Sequence, residues 1–224
     1  MTQYKIKEIL DILNTLNEYL LSLPDDMLLN IDPRDNESIE QGAQFIKEFN
    51  DSFFQFSEGA TKIEKQIKNY FSINPEDEEV EHESADNNGR NGRVIKELDK
   101  SESHTLDENF TYKIPYGFVL GNAAYKGIKT WKSLYLQILK ELKSKEPERF
   151  SSLPTEKRFV SRRGNPLFAE NENKLRIAEK MPAGFYVEIN LSANHIRSNI
   201  KELLDYFGID YTKMRIYLRE DRDA

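Results

Sequence analysis

The sequence predicts an α+β protein in three parts: a helical hairpin or coiled coil over residues 1–73, a disordered acidic linker over 74–108, and a compact basic domain over 109–224. Three observations lead to this fold class. Apolar residues recur at three- and four-residue steps in the first third of the chain. An acidic and polar stretch with few large apolar side chains follows. The last part alternates strand-like and helix-like patterns in the order β-β-α-β-β-α-β.

The first predicted helix covers residues 3–23. Pro24 predicts its end, because the residue before a proline avoids the α region. A turn of Asp, Pro, Arg, Asp and Asn at 32–36 then separates it from a second helix. The apolar face of the first helix consists of Ile6, Ile9, Leu10, Leu13, Leu16 and Leu20.

The second helix has the most regular pattern in the chain. Between Ile39 and Tyr70, apolar residues recur at a mean step of about 3.5 residues, the period of a left-handed coiled coil. The first helix is shorter, so part of this apolar face would stay uncovered and bind another copy, another protein or the C-terminal domain. The alternative is that the face is the core of a small bundle. The predicted interface residues are Ile46, Phe49, Phe53, Phe56, Ile63 and Ile67.

The linker is predicted from its composition. Residues 76–83 are mainly acidic, and residues 86–92 are polar and contain glycine. Large apolar side chains are too few in this stretch to offset the entropy lost on ordering the chain. The residues at 94–98 fit one weak helical turn. The acidic run is interpreted as solvated linker, with ion binding or nucleic-acid mimicry as the alternatives.

The C-terminal domain begins with strands. Apolar residues alternate over 110–120, and 121–127 reads as a hairpin turn followed by a short second strand. Thr130 is the predicted N-cap of a helix, and 158–161 is a further short strand.

The rest of the domain repeats this alternation. A strand is predicted at 184–190, and Ser192 caps a second helix. Gly208 lies where a glycine that ends a helix is expected. The alternating residues at 214–218 predict the final strand, and the domain is large enough to have its own core.

Charge is distributed unevenly along the chain. The net charge is −7, but residues 1–108 carry −14 and residues 109–224 carry +7. A basic half is a candidate for nucleic-acid binding, because arginines clamp phosphates and an interleaved aromatic ring can stack on a base. The alternative is a solvated loop with scattered charges. The candidate residues for binding nucleic acid or a partner are Lys126, Lys129, Lys132, Lys157, Arg158, Arg162 and Arg163.

Several classes of site are excluded or disfavoured. The absence of cysteine excludes disulfides, thiolate zinc sites and a cysteine nucleophile. His195, near Asn190, is a candidate base at a helix start, but no recognisable nucleophile accompanies it. His82 and His104 fall in the predicted linker, so no metal site, catalytic residue or cofactor is expected. No secretory signal or membrane-spanning run is visible, so a cytoplasmic protein is expected.

A family resemblance covers about residues 110–220. The motifs that carry it are Lys-Thr-Trp-Lys-Ser-Leu at 129–134, Gly-Phe-Tyr-Val-Glu-Ile-Asn-Leu-Ser-Ala-Asn at 184–194 and Leu-Leu-Asp-Tyr-Phe-Gly-Ile at 203–209. This part resembles an uncharacterised domain at the C-terminus of bacterial proteins from restriction and phage-defence loci. The resemblance implies an accessory role beside nuclease or NTPase modules. It implies no catalytic residues.

These observations support three hypotheses of function. The first is a non-catalytic module with an oligomerising helical half and a basic domain that binds nucleic acid or a partner. The second is an adaptor or inhibitor that binds protein alone. The third is an enzyme with a site near His195.

Overall fold

The computed structural model describes residues 2–71, 87–161 and 164–222. Its first two elements are helices α1 (Thr2–Asn30) and α2 (Asn36–Tyr70), which pack together as the predicted hairpin. They lie antiparallel: Ser57 Oγ donates to Asn17 Oδ1 at 3.3 Å, and Ile31 contacts Gly42. A Cβ atom at position 42 would lie 2.3 Å from Ile31 Cδ1, so glycine permits this close approach.

Helix α1 continues past Pro24, so the predicted end at residue 23 is wrong. A proline inside a helix removes a hydrogen bond and costs about 3 kcal/mol. Contacts made beyond the proline offset this cost. Ser192 Oγ donates to Asp25 Oδ2 at 2.8 Å, and Tyr112 Oη donates to Asp26 Oδ2 at 3.4 Å.

The structure differs from the predicted linker in its later part. Residues 74–86 of that prediction lie outside the described part of the chain, whereas residues 87–98 form helix α3 (Asn87–Leu98). Val94 and Leu98 are buried against the C-terminal domain. These side chains are too few to form a core of their own, and the domain supplies the rest of their apolar surroundings. The prediction of a disordered linker up to residue 108 is therefore wrong from residue 87 onwards.

The α+β class is confirmed, with two small antiparallel sheets of strand order β2-β1-β6 and β3-β5-β4. Among the described residues, no helix is long and apolar enough to cross a membrane. The elements of the domain are β1 (Pro115–Leu120), β2 (Ala123–Lys126), α4 (Trp131–Lys145), α5 (Pro147–Ser151), β3 (Phe168–Ala169), β4 (Ala178–Lys180), β5 (Tyr186–Glu188), α6 (Ala193–Tyr206) and β6 (Arg215–Leu218).

The strand prediction differs from the structure in two places. In the described part of the chain between α5 and α6, three short strands occur where two were predicted. Residues 157–159 form a 3-10 turn, and only Val160 makes a β-bridge, to Pro166. The first strand begins at Pro115, later than the alternation at 110–114 suggested.

The core lies between the sheets and the helices α4 and α6. Trp131 and Tyr135 of α4 are fully buried in it. The predicted caps are confirmed: Thr130 Oγ1 accepts from Ser133 N at 3.0 Å, and Ser192 Oγ accepts from His195 N. These caps place the N-terminal ends of α4 and α6 at the surface that α1 covers.

Candidate functional site

One side of α1 is acidic and rests on the C-terminal domain. Asp11, Glu18 and Asp25 recur every seven residues, about two helical turns, so they lie on one face. We call these three residues the acidic row. Lys129 Nζ lies 2.8 Å from Asp11 Oδ1. The other two carboxylates reach the N-terminal ends of α4 and α6, where unpaired backbone N–H groups and the helix dipole favour negative charge.

Glu18 is the most deeply buried member of the acidic row, with 5% of its surface exposed. Its Oε1 accepts a hydrogen bond from Trp131 N at 3.0 Å. Burial raises the pKa of Glu18 to about 7 and outweighs the backbone hydrogen bonds from Trp131 and Lys132, which lower it. The group is therefore poised to titrate near neutral pH at the junction of the two halves.

Glu18 borders a small cavity between α1, α2 and the domain. Ser57, Lys132 and Asn190 also line this cavity, whose volume is about 50 Å³. Asn190 Oδ1 is buried and has no hydrogen-bond partner among the described residues. Ligand pockets are usually about 300–1,000 Å³, so this cavity admits water-sized molecules and no ordinary substrate.

The surroundings of His195 do not form a catalytic triad. Ser192 Oγ lies 3.0 Å from His195 Nδ1, and it donates to Asp25 Oδ2. The serine therefore stands between the acid and the histidine, whereas catalysis requires the histidine in the middle. Ser192 is also only 4% exposed. Asn190, predicted as the neighbour of His195, lines the cavity at Glu18 instead.

The predicted basic residues are largely paired within the chain. Four of them form ion pairs with acidic residues from other elements, which reduces the positive charge they offer to phosphates. Two of the four acidic partners belong to the N-terminal 108 residues. The pairs are Lys126–Glu97 (2.8 Å), Lys129–Asp11 (2.8 Å), Lys132–Glu179 (3.4 Å) and Arg158–Asp205 (2.9 Å).

Three members of that set do not appear among these pairs. Lys157 is exposed, and Arg162 and Arg163 lie outside the described residues. Phe159 is 4% exposed and packs against Phe168 and Tyr206. The idea that this aromatic ring stacks on a base is therefore wrong, because the core already covers it.

The predicted interface on α2 is partly covered. Phe53 is buried, whereas Ile63 is 49% exposed. The remaining predicted residues are half-buried: Ile46, Phe49, Phe56 and Ile67. Successive rings along this face also contact one another, with Phe49 and Phe53 stacked at 5.7 Å. The hairpin therefore uses much of this face as its own core.

Helix α1 has an exposed apolar face that differs from the predicted one. Ile9, Ile12, Leu16 and Tyr19 follow one another at steps of 3, 4 and 3 and are 52%, 61%, 45% and 42% exposed. We call these four residues the apolar row. Ile9 and Leu16 had been placed in the core-facing stripe. The acidic row marks the side of α1 that faces the domain. Ile9 and Leu16 are offset from that row along the sequence, and this offset is the signal that they are exposed.

The apolar row borders an open groove of about 640 Å³ between α1 and the domain. Lys129 and Arg219 lie at its edge, and the ring of Tyr19 meets Tyr112 edge-on at 5.9 Å. The groove is therefore apolar along α1 and basic along the domain.

Comparisons of the chain with protein-family models, curated proteins and solved structures find no match. The resemblance of residues 110–220 to a defence-associated domain therefore stays a prediction. Function has to be inferred from the surfaces described above.

Proposed function

We propose that this protein is a non-catalytic adaptor that self-associates, with a second copy of the chain covering the apolar row of α1. The observation that carries this proposal is the exposure of four large apolar side chains at coiled-coil spacing on one helix face. Such a contiguous exposed patch is typical of an interaction site.

The other faces of α1 are already used within the chain. Asn17 faces α2 and bonds to Ser57, and the acidic row faces the C-terminal domain. The apolar row occupies the remaining face, so folding of one copy does not bury it. Each half-exposed side chain leaves about 1 kcal/mol of hydrophobic stabilisation for a partner to supply.

A second copy is the occupant that fits the charges of α1. Lys5 and Lys7 lie near the N-terminal end of the helix, and Asp26 lies near its C-terminal end. Two antiparallel copies would bring the basic end of each beside the acidic end of the other. A two-fold contact of this kind is self-complementary, as most homodimer interfaces are.

Nucleic-acid binding is the less supported alternative. Four of the candidate basic residues already have acidic partners in the same chain. An enzyme near His195 is less supported still, since Ser192 is buried and the adjoining cavity is small. A setting in a bacterial defence or restriction system is part of the proposal and rests on the resemblance alone.

The test is the mass of the intact chain in solution, measured by sedimentation velocity over a range of concentrations. The unaltered chain should form a dimer, and the double variant Ile12→Glu/Leu16→Glu should be monomeric, because two carboxylates would have to be desolvated. Gln55→Glu/Gln66→Glu adds the same two charges at exposed sites on α2, so it is the matched charge control and should leave the dimer intact.

The position of the contact can be tested by cross-linking. Because the chain has no cysteine, Leu16→Cys introduces a single thiol without background. Oxidation should link two copies of Leu16→Cys efficiently and two copies of Gln55→Cys poorly. A monomeric native chain at every concentration would overturn the proposal.

A further inference from the structure

His104 is a buried residue of the C-terminal domain and lies in the segment predicted to be linker. It is 6% exposed. Its backbone forms a two-way bridge with β6: His104 N donates to Ile216 O at 2.8 Å, and Ile216 N donates to His104 O at 2.9 Å. The imidazole is therefore held at a fixed place beside the sheet.

One ring nitrogen of His104 is oriented by a carboxylate. Nδ1 lies 2.7 Å from Glu108 Oε2, and Thr105 N donates to the other carboxylate oxygen, Oε1, at 2.7 Å. Glu108 is thus held in place itself. This contact leaves Nε2 facing the opposite direction.

A second carboxylate meets Nε2, and a third lies close to this pair. Asp221 Oδ2 lies 2.8 Å from it, and ligand atoms of Glu102, His104 and Asp221 all fall within 4.8 Å of one another. Glu102 makes no hydrogen bond or ion pair within the described ranges of the chain, although its carboxylate points toward this group. Three carboxylates around one imidazole leave excess negative charge, even when the ring is protonated.

We propose that Glu102, His104 and Asp221 bind a divalent metal ion of the Zn²⁺ class. One imidazole nitrogen and two carboxylate oxygens are ligands that Zn²⁺ accepts, and a fourth position remains for water. Glu108 then has the role of the outer carboxylate that fixes the ring of a metal-binding histidine. The bound ion displaces the proton from Nε2.

The three ligand atoms lie within 4.8 Å of one another, so a bound ion requires each of their separations to change by about 1.5 Å at most. Ligand atoms around tetrahedral Zn²⁺ are about 3.3 Å apart, given bonds of about 2.0 Å. The Nε2 to Oδ2 distance of 2.8 Å must therefore open by roughly half an ångström. Asp221 lies in the turn that follows β6, so a bound ion ties this turn to the segment at 102–108.

The competing explanation is a clasp without metal. In that case His104 is an imidazolium that donates to Glu108 and Asp221. Burial lowers the pKa of His104, but these two hydrogen bonds outweigh burial and raise that pKa above its ordinary value. Glu102 has no part in such a clasp, so this residue distinguishes the two explanations.

The test is a calorimetric titration of the intact, tag-free chain with ZnCl₂, with MgCl₂ as the comparison. We expect one Zn²⁺ per chain and a rise in Tm that EDTA reverses. Glu102→Gln should weaken Zn²⁺ binding at least about tenfold and leave the metal-free Tm unchanged. Glu148→Gln, at an exposed site on α5, is the matched control and should bind as the native chain does.

Two results would overturn the proposal. One is the absence of saturable Zn²⁺ binding to the native chain. The other is unchanged Zn²⁺ affinity in Glu102→Gln, which would leave only the clasp. Because Glu102 is exposed and supports no other contact among the described residues, the variant is expected to fold.

Discussion

At the scale of single residues, Glu18 determines how the junction of the two halves responds to pH. Its pKa is about 7 in the folded chain against an ordinary value of 4.5. Between pH 4.5 and about 7, the Glu18 carboxyl group has lost its proton in the unfolded chain but keeps it in the folded chain. Raising the pH through this window therefore lowers the free energy of unfolding, by about 3 kcal/mol for a difference of about 2.5 pH units.

Glu18→Gln should remove this pH dependence. Relative to the native chain, the variant should gain stability as the pH rises from 4.5 to 7, since an amide carries no charge to desolvate. Urea unfolding at several pH values measures the difference. Glu58→Gln is the control, because Glu58 is exposed on α2. A difference between Glu18→Gln and the native chain that stays constant with pH would contradict this explanation.

At the scale of elements, the sequence predicted the helices that have a strong apolar period of their own. Helices α2, α4 and α6 are of this kind, and their caps at Thr130 and Ser192 were also recognisable. The end of α1 and the existence of α3 were not predictable in this way. Each depends on contacts with the C-terminal domain, which local sequence does not reveal.

The packing of α3 can be tested by truncating one side chain. Leu98 is 2% exposed and lies against Val119 and Tyr217. Leu98→Ala should reduce the free energy of unfolding by roughly 2–4 kcal/mol, because it removes buried methyl groups and leaves a cavity. Chemical denaturation measures this loss.

Leu28→Ala is the matched control, being the same change in a helix at a site that is 58% exposed. It should cost less than about 1 kcal/mol. Equal effects of the two substitutions would mean that residues 87–98 contribute no more than a linker does.

At the scale of the whole molecule, the charge asymmetry has a structural counterpart. Composition showed an acidic first part and a basic second part, but it did not show whether they meet. The acidic row brings α1 onto the domain and pairs Asp11 with Lys129. The row is visible in the sequence as a seven-residue spacing. Its partners are not, because the starts of α4 and α6 come together only in the folded domain.

This arrangement gives an expectation for nucleic-acid binding by the intact chain. If the lysines serve to form ion pairs within the chain, removing their acidic partners should not create a DNA site. The double variant Asp11→Asn/Glu179→Gln removes the ion-pair partners of Lys129 and Lys132. Its affinity for labelled duplex DNA should equal that of Glu40→Gln/Glu58→Gln, which makes the same change in net charge at exposed sites on α2.

A salt series makes this comparison decisive. Each phosphate contact adds about 0.9 to the slope of log affinity against log salt concentration for duplex DNA. Equal slopes for the two double variants would show that Lys129 and Lys132 make no phosphate contacts when released. A steeper slope for Asp11→Asn/Glu179→Gln would show instead that α1 masks a nucleic-acid site, and the adaptor proposal would then need a second ligand.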